Sequence, residues 1–361
     1  MQSQRLTYFF TIALGISACD EDTTRAPIAP ADVSFLLPLT VGPTRITAGT
    51  SGRYGVLVQR AHYDSIADSE PLTRVDEPDD IYANLAVVAV RLDPCFIEGL
   101  DETLCASQVR LVLQPILQLA GATDIVVRDA SMHAFYDVPR SELDSLADDL
   151  AALRTRRAGP EAVGVHFAPD DAMALVLDRI GDDRLSRITH MSVHSSNEAW
   201  VFGGFNIVSG QRIDIPIPGI VAPAGAARFR FEQHLTSTGA KGDLAATLIP
   251  EPVIEADIAA FLDAPRRLAL SEADWDRSLD SLDRLLDPAR HNPGTVDCAS
   301  CHIATTALRF ATRDSDPSLV SSAYDDTRNQ RMFGWFGDSA SISPRVILET
   351  EAVVDRLNSL K

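Results

Sequence analysis

The chain has 361 residues, 45% of them hydrophobic, enough for two domains or one large one with an appendage, and enough to bury a core. Its formal charge of −19 at pH 7 repels phosphate backbones and anionic headgroups, so no nucleic acid is expected as a partner. Such a surface keeps a protein soluble and favours basic partners, but it names no ligand.

In chain order, the first feature is a singly basic start, Met1 to Arg5, followed by the apolar run LTYFFTIALGI over residues 6–16. That run is too short to span a bilayer as a mature helix and reads as an export signal. Next comes 16-ISAC-19, an apolar residue, two small ones and a cysteine, ahead of Asp20, Glu21 and Asp22. This stretch resembles the lipobox of bacterial lipoproteins. The resemblance implies cleavage before Cys19 and lipidation of Cys19, which anchors an exported protein, periplasmic or cell-surface, to a bacterial membrane. Residues 1–18 are then the signal peptide, and 19–32 an acidic, Pro-rich tether.

The expected body, residues 33–264, mixes α and β. The runs YANLAVVAVRL (82–92) and QVRLVLQPIL (108–117) are β-rich, and they flank 95-CFIEGLDETLC-105. In an oxidising compartment Cys95 and Cys105 are expected to close this short loop as a disulfide, worth roughly 2–3 kcal/mol through restriction of the unfolded chain. SMHAFYDV (131–138) reads as another strand. SELDSLADDLAALRTRR (141–157) reads as a helix with Ser141 as N-cap, Asp144 completing a capping box, and Leu143, Leu146, Leu150 and Leu153 on one face. A second helix over 169–180 is expected to end at Gly181. From 187 to 248 the period shifts towards two, and turn-rich breaks divide the segment into an antiparallel sheet of about five strands. His190 and His194 share a strand face there, with His234 on a neighbouring run; exposed polar residues are the simpler account than a metal site. His133 and His166 stand alone and read as structural.

Helical patterns return at 251–264 and 271–287, the latter with Ser271 as N-cap and Trp275, Leu279, Leu282 and Leu286 as its buried stripe. A boundary is expected near 264–271, so residues 265–361 form a small, mostly helical unit and the whole chain is α+β. This unit holds 291-HNPGTVDCASCHIATTALRF-310, with Cys298, Cys301 and His302 packed into one helical turn. Three uses of that cluster compete. Structural zinc wants four ligands, but no Cys or His follows His302, so His291 would have to serve. A redox disulfide wants a strand leading in and an electropositive first thiol, whereas a helix and Asp297 precede Cys298 here.

The third use is haem. Cys-x-x-Cys-His resembles the attachment motif of c-type cytochromes, in which one helical turn carries two thiols to one edge of the porphyrin and the next imidazole to the iron. The resemblance covers only this C-terminal unit. It implies one covalent haem c on Cys298 and Cys301, with His302 as an axial iron ligand. A last helix over 343–360, with Ser343 as cap and Pro344 at its first position, fits the same pattern. Cytochromes c often take their sixth ligand from a Met ahead of that helix. Met332, in RNQRMFGWFGDSA, is the only Met after the motif and is the candidate. It departs from the family in its short span from His302 and in lacking a preceding Pro. His291 is the runner-up, and an open position on the iron is the third option. The implied function is single-electron transfer by a membrane-anchored monohaem cytochrome with a redox protein partner, basic if surface charge guides docking. Two alternatives stay open: a peroxidase-like haem enzyme with an open iron, and a non-enzymatic exported lipoprotein whose body binds or scaffolds.

Overall fold

The computed structural model describes residues 25–40, 45–67, 81–96, 105–118, 125–194, 199–215, 232–236, 258–262, 264–292, 295–312, 324 and 329–359. Cys19 with the signal segment, the loop 97–104, the strand expected at 244–249 and the helical pattern at 251–257 lie outside these residues.

The elements run α1 (Pro30–Val33), β1 (Ser34–Leu36), the small ladder β2 (Ser51–Gly52) and β3 (Gly55–Val56), and α2 (Arg60–Ala67). The long hairpin β4 (Leu85–Phe96) and β5 (Ala106–Gln118) follows, then β6 (Ile125–Val127), β7 (Ala130–Asp137), α3 (Arg140–Arg157) and α4 (Pro169–Leu177). Next come β8 (Leu185–His194), β9 (Ala199–Val208), β10 (Gln211–Asp214) and β11 (Glu232–Thr236). The remainder is α5 (Ala264–Ala269), α6 (Glu272–Leu286), α7 (Cys298–Thr312), the hairpin β12 (Phe333–Phe336) and β13 (Ser339–Ile342), and α8 (Pro344–Ser359). The fold is mixed α+β. Its centre is one antiparallel sheet in the order β1-β4-β5-β7-β8-β9-β10, with β6 added beside β5 and β11 beside β9.

Side chains alternate across a strand, so each strand feeds both faces of this sheet. On the first face Leu92, Leu111, Leu113, Met132, Ala134 and Ile188 meet the Leu143, Leu146 and Leu150 stripe of α3 and Met173 and Val176 of α4. The second face has its apolar clusters at its margins. At one margin Ala89, Val112 and Ile116 pack under Phe333, Trp335 and Val346; at the other Met191, Trp200 and Phe202 pack under α6 and α7. Between the margins the second face carries Arg91, Arg110, His133 and Arg187, fixed there by register: Arg91 opposes Arg110, and Val112 opposes His133.

Several local expectations change. α3 starts at Arg140, and Ser141 lies in its first turn; the Pro139 carbonyl, accepting from Glu142 and Leu143, begins the helix as the chain leaves β7. α4 ends at Leu177, short of Gly181, whose added Cβ would lie 2.2 Å from the Tyr54 backbone, so the glycine serves a close chain crossing. The folded body begins before Val33: Ile28, Ala29 and Ala31 are buried, and Ile28 exchanges two hydrogen bonds with the amide of Asn358 in α8. Thr350 of the same helix donates to Ser34. Ser271 caps α6 through Asp274 N–H, as expected. Cys95 and Cys105 lie at disulfide distance, with Cα atoms 4.9 Å apart at the end of the β4–β5 hairpin.

Ahead of the last helix, residues 333–342 form the β12–β13 hairpin, docked on the sheet by one side-chain amide. Gln114 accepts from Trp335 N–H at 2.7 Å and donates to its carbonyl at 3.0 Å, while the indole donates to Leu37. Only glycine fits beside this amide at 334, where a Cβ would come within 2.5 Å of Gln114 Oε1. Gln114→Ala leaves both backbone groups of Trp335 buried without those partners. We expect it to lower unfolding stability by about 1–3 kcal/mol, measured as a lower urea midpoint at unchanged slope.

Candidate functional site

Cys298 opens α7, and Asp297 starts the helix: its carboxylate accepts from Ser300 N–H at 2.9 Å and its carbonyl from Cys301 N–H. One turn of helix places Cys298, Cys301 and His302 on the wall of a cleft between α7 and the second face of the sheet. The cleft has a cavity volume of about 170 Å³ and opens to solvent at its mouth. The opposite wall is His133, Phe135, Thr189 and Phe202; Arg345 and Glu349 of α8 close one end.

His302 is oriented from behind. Its ring nitrogen Nδ1 lies 2.7 Å from the Gln330 carbonyl. A carbonyl only accepts, so Nδ1 carries the proton and Nε2 keeps its lone pair. That carbonyl is held in turn. Asn329 donates to Ser341 and accepts from Arg331 N–H, its own carbonyl accepts from Thr306 of α7, and Arg331 pairs with Asp129. A backbone carbonyl behind a ligating imidazole is a recurrent arrangement at metal sites, because it sets both tautomer and ring direction. Burial lowers the His302 pKa, and burial with Arg110 and His302 nearby lowers that of His133, so both rings are neutral at neutral pH.

The two thiols are not poised as nucleophiles. Burial, with Asp297 and Cys301 adding, pushes Cys298 up to about 12, and burial pushes Cys301 up to about 11. A thioredoxin-type thiol needs the reverse shift. Among the described residues no group of three or more His, Cys, Asp or Glu is arranged to hold a metal, which leaves a four-ligand zinc site without its set.

Met332 lies with its sulfur 3.8 Å from Cys301 Sγ, at the thiol edge of the cleft. It follows Gln330 by two residues, so it belongs to the loop that backs His302. His291 is buried outside the cleft lining, its Nδ1 3.1 Å from Thr295 Oγ1 and its carbonyl accepting from Arg345. His133, read from the sequence as structural, faces the cleft instead, its ring centroid 6.3 Å from that of His302. The signal was present in β7: Ser131, His133, Phe135 and Asp137 form one face and Met132, Ala134 and Tyr136 the other, with Arg110 in phase on β5. His190 is buried rather than exposed and sits on the face opposite His133.

The cleft is also a concentration of positive charge in an acidic protein. Arg91, Arg110, Arg187 and Arg345 line it against two carboxylates, Asp297 and Glu349. Arg91 bridges Asp93 and Glu349, Arg110 pairs with Asp93 at 2.7 Å, and Arg345 pairs with Glu349 at 2.6 Å. No protein-family model, no curated protein and no solved structure matches this chain.

Burial alone would raise the Glu349 pKa, but Arg91 and Arg345 overcome it and hold the carboxyl at about 2. A carboxyl with a lower pKa in the fold binds fewer protons there than in the unfolded chain. Its stabilisation is therefore complete above the ordinary glutamate value and lost as pH falls from about 4.5 towards about 2. Thermal unfolding of the wild type and Glu349→Gln should differ most at neutral pH, with the gap closing through that acid window; a gap independent of pH would refute this assignment.

Proposed function

We propose that this chain is an exported, lipid-anchored monohaem c-type cytochrome that carries single electrons. The observation that carries the reading is the turn Cys298-x-x-Cys301-His302 on a cleft wall, with the His302 Nδ1–H committed to the Gln330 carbonyl and Nε2 left for a metal.

The residues present fit the group. Cys298 and Cys301 would each hold it by a thioether: the thiol S–H adds across a vinyl group, sulfur to one carbon and hydrogen to the other, with no leaving group and no oxidant. His302 would bind iron through Nε2. Phe135, Val112, Met191 and Phe202 give the cleft apolar walls, and the guanidiniums suit the two carboxylates on a haem edge. Bound haem supplies a one-electron couple whose potential follows its axial ligands, hydrogen bonds and burial. The chain's own part is to orient His302 through the 329–331 loop, to exclude water with α7 and the sheet, and to balance the carboxylates with arginine. Lipidation at Cys19 would tether this body at a membrane, and the acidic surface would meet a basic redox partner.

Intact-mass measurement on chain exported in a haem-c-competent bacterium tests this. The expected result is an added mass equal to one haem, resistant to acid-acetone extraction, with Cys298→Ser/Cys301→Ser losing both the mass and the colour. Colourless wild-type protein of unmodified mass would overturn the reading.

A further inference from the structure

We infer that His133 is the second axial ligand of the iron, opposite His302. The inference rests on the haem reading above and deepens it. It moves the sixth ligand from the C-terminal segment to the central sheet.

Three observations carry it. The His133 and His302 rings face each other across the cleft with centroids 6.3 Å apart and planes within 26°. Two metal–nitrogen bonds of about 2 Å each, placed end to end with the two ring radii, span roughly 6 Å. That span matches the separation of the two ring centroids. Second, His133 makes ring contacts with Phe135 and His302, and neither of its nitrogens is hydrogen-bonded to any described residue. A half-buried imidazole lining a cleft, with both nitrogens uncommitted, is placed for a ligand rather than for the fold. Third, its position is rigid: β7 is paired on both sides, with Val112 and Thr189 directly opposite His133.

The other candidates are placed less well. Met332 lies against the Cys301 thiol, on the loop behind His302, and His291 is turned to Thr295 outside the cleft. Coordination by His133 is dative: one nitrogen lone pair goes to the metal, and no proton or electron changes hands. With a histidine on each face the iron has no open position. That favours an electron carrier over small-molecule chemistry, and a lower potential than a His/Met pair would give.

The test is spectroscopic, on the full exported holoprotein, with intact mass confirming one haem in every sample. The oxidised wild type should be low-spin, with the near-infrared magnetic circular dichroism of two histidines and without the long-wavelength Met–iron band. His133→Ala should keep covalent haem, become high-spin and bind carbon monoxide when reduced, and return to low-spin on addition of imidazole. His133→Met should raise the midpoint potential, and Met332→Leu should leave the wild-type spectrum unchanged. A Met–iron band in the wild type that Met332→Leu abolishes would overturn the proposal and leave the haem reading standing. So would a wild type already high-spin, whatever becomes of the variants. Protein without haem would overturn both.

Discussion

Three guanidiniums share two carboxylates between the sheet and the last helix. Arg91, Arg110 and Arg345 meet Asp93 and Glu349; Arg91, Arg345 and Asp93 are buried, and Arg110 and Glu349 are half-buried at the cleft. Burying any one of these charges alone would cost several kcal/mol. Arg91 and Arg110 cannot leave the second face, because the β4–β5 register puts them opposite each other there. α8 therefore has to dock where Glu349 answers them. Docking α8 brings Arg345 onto the carbonyls of Leu285 and His291, which ties down the connection from α6 to α7. The same placement fixes Ser343, whose N–H donates to the Met332 carbonyl, and with it the loop that directs His302. The electrostatics of the sheet and the orientation of one imidazole are thus parts of a single arrangement.

The site is shared between distant parts of the chain. Cys298, Cys301 and His302 come from α7, whereas Phe202, His133 and Arg110 come from three strands of the sheet. The composition shift near 264–271 marks a change from strands to helices, and residues on both sides of it build the second-face layer. Under the proposed function, the α+β body supplies a wall of the cofactor site as well as any docking surface.

The legible parts of the sequence were those governed by short-range periodicity. The hairpin 85–118, the strand at β7, the leucine stripe of α3, the Ser271 cap and the helix opening at Cys298 all follow from residues a few positions apart. So did the pairing of Cys95 with Cys105, which a hairpin brings together. The Ser141 cap failed because a backbone carbonyl supplied by the preceding turn can begin a helix without any side chain. The β12–β13 hairpin escaped notice because what holds it is Gln114, a residue more than two hundred positions earlier. His133 escaped for a similar reason. Alternation in SMHAFYD puts His133 in phase with Phe135 and with Arg110 on β5, but a lone imidazole there reads as structural, and nothing local says that α7, more than a hundred and fifty residues later, covers that face.

The contacts of residues 28–34 with 350–358 also govern how this molecule is made. Ile28 is stapled to Asn358 and Ser34 to Thr350, so one layer of the core is completed by residues 330 and 316 positions apart. Loop closure of that span comes late in any folding route. Until α8 docks, the sheet margin at Ala89, Val112 and Ile116 lacks Val346 and stays partly uncovered. An intermediate with that apolar margin exposed is vulnerable to aggregation.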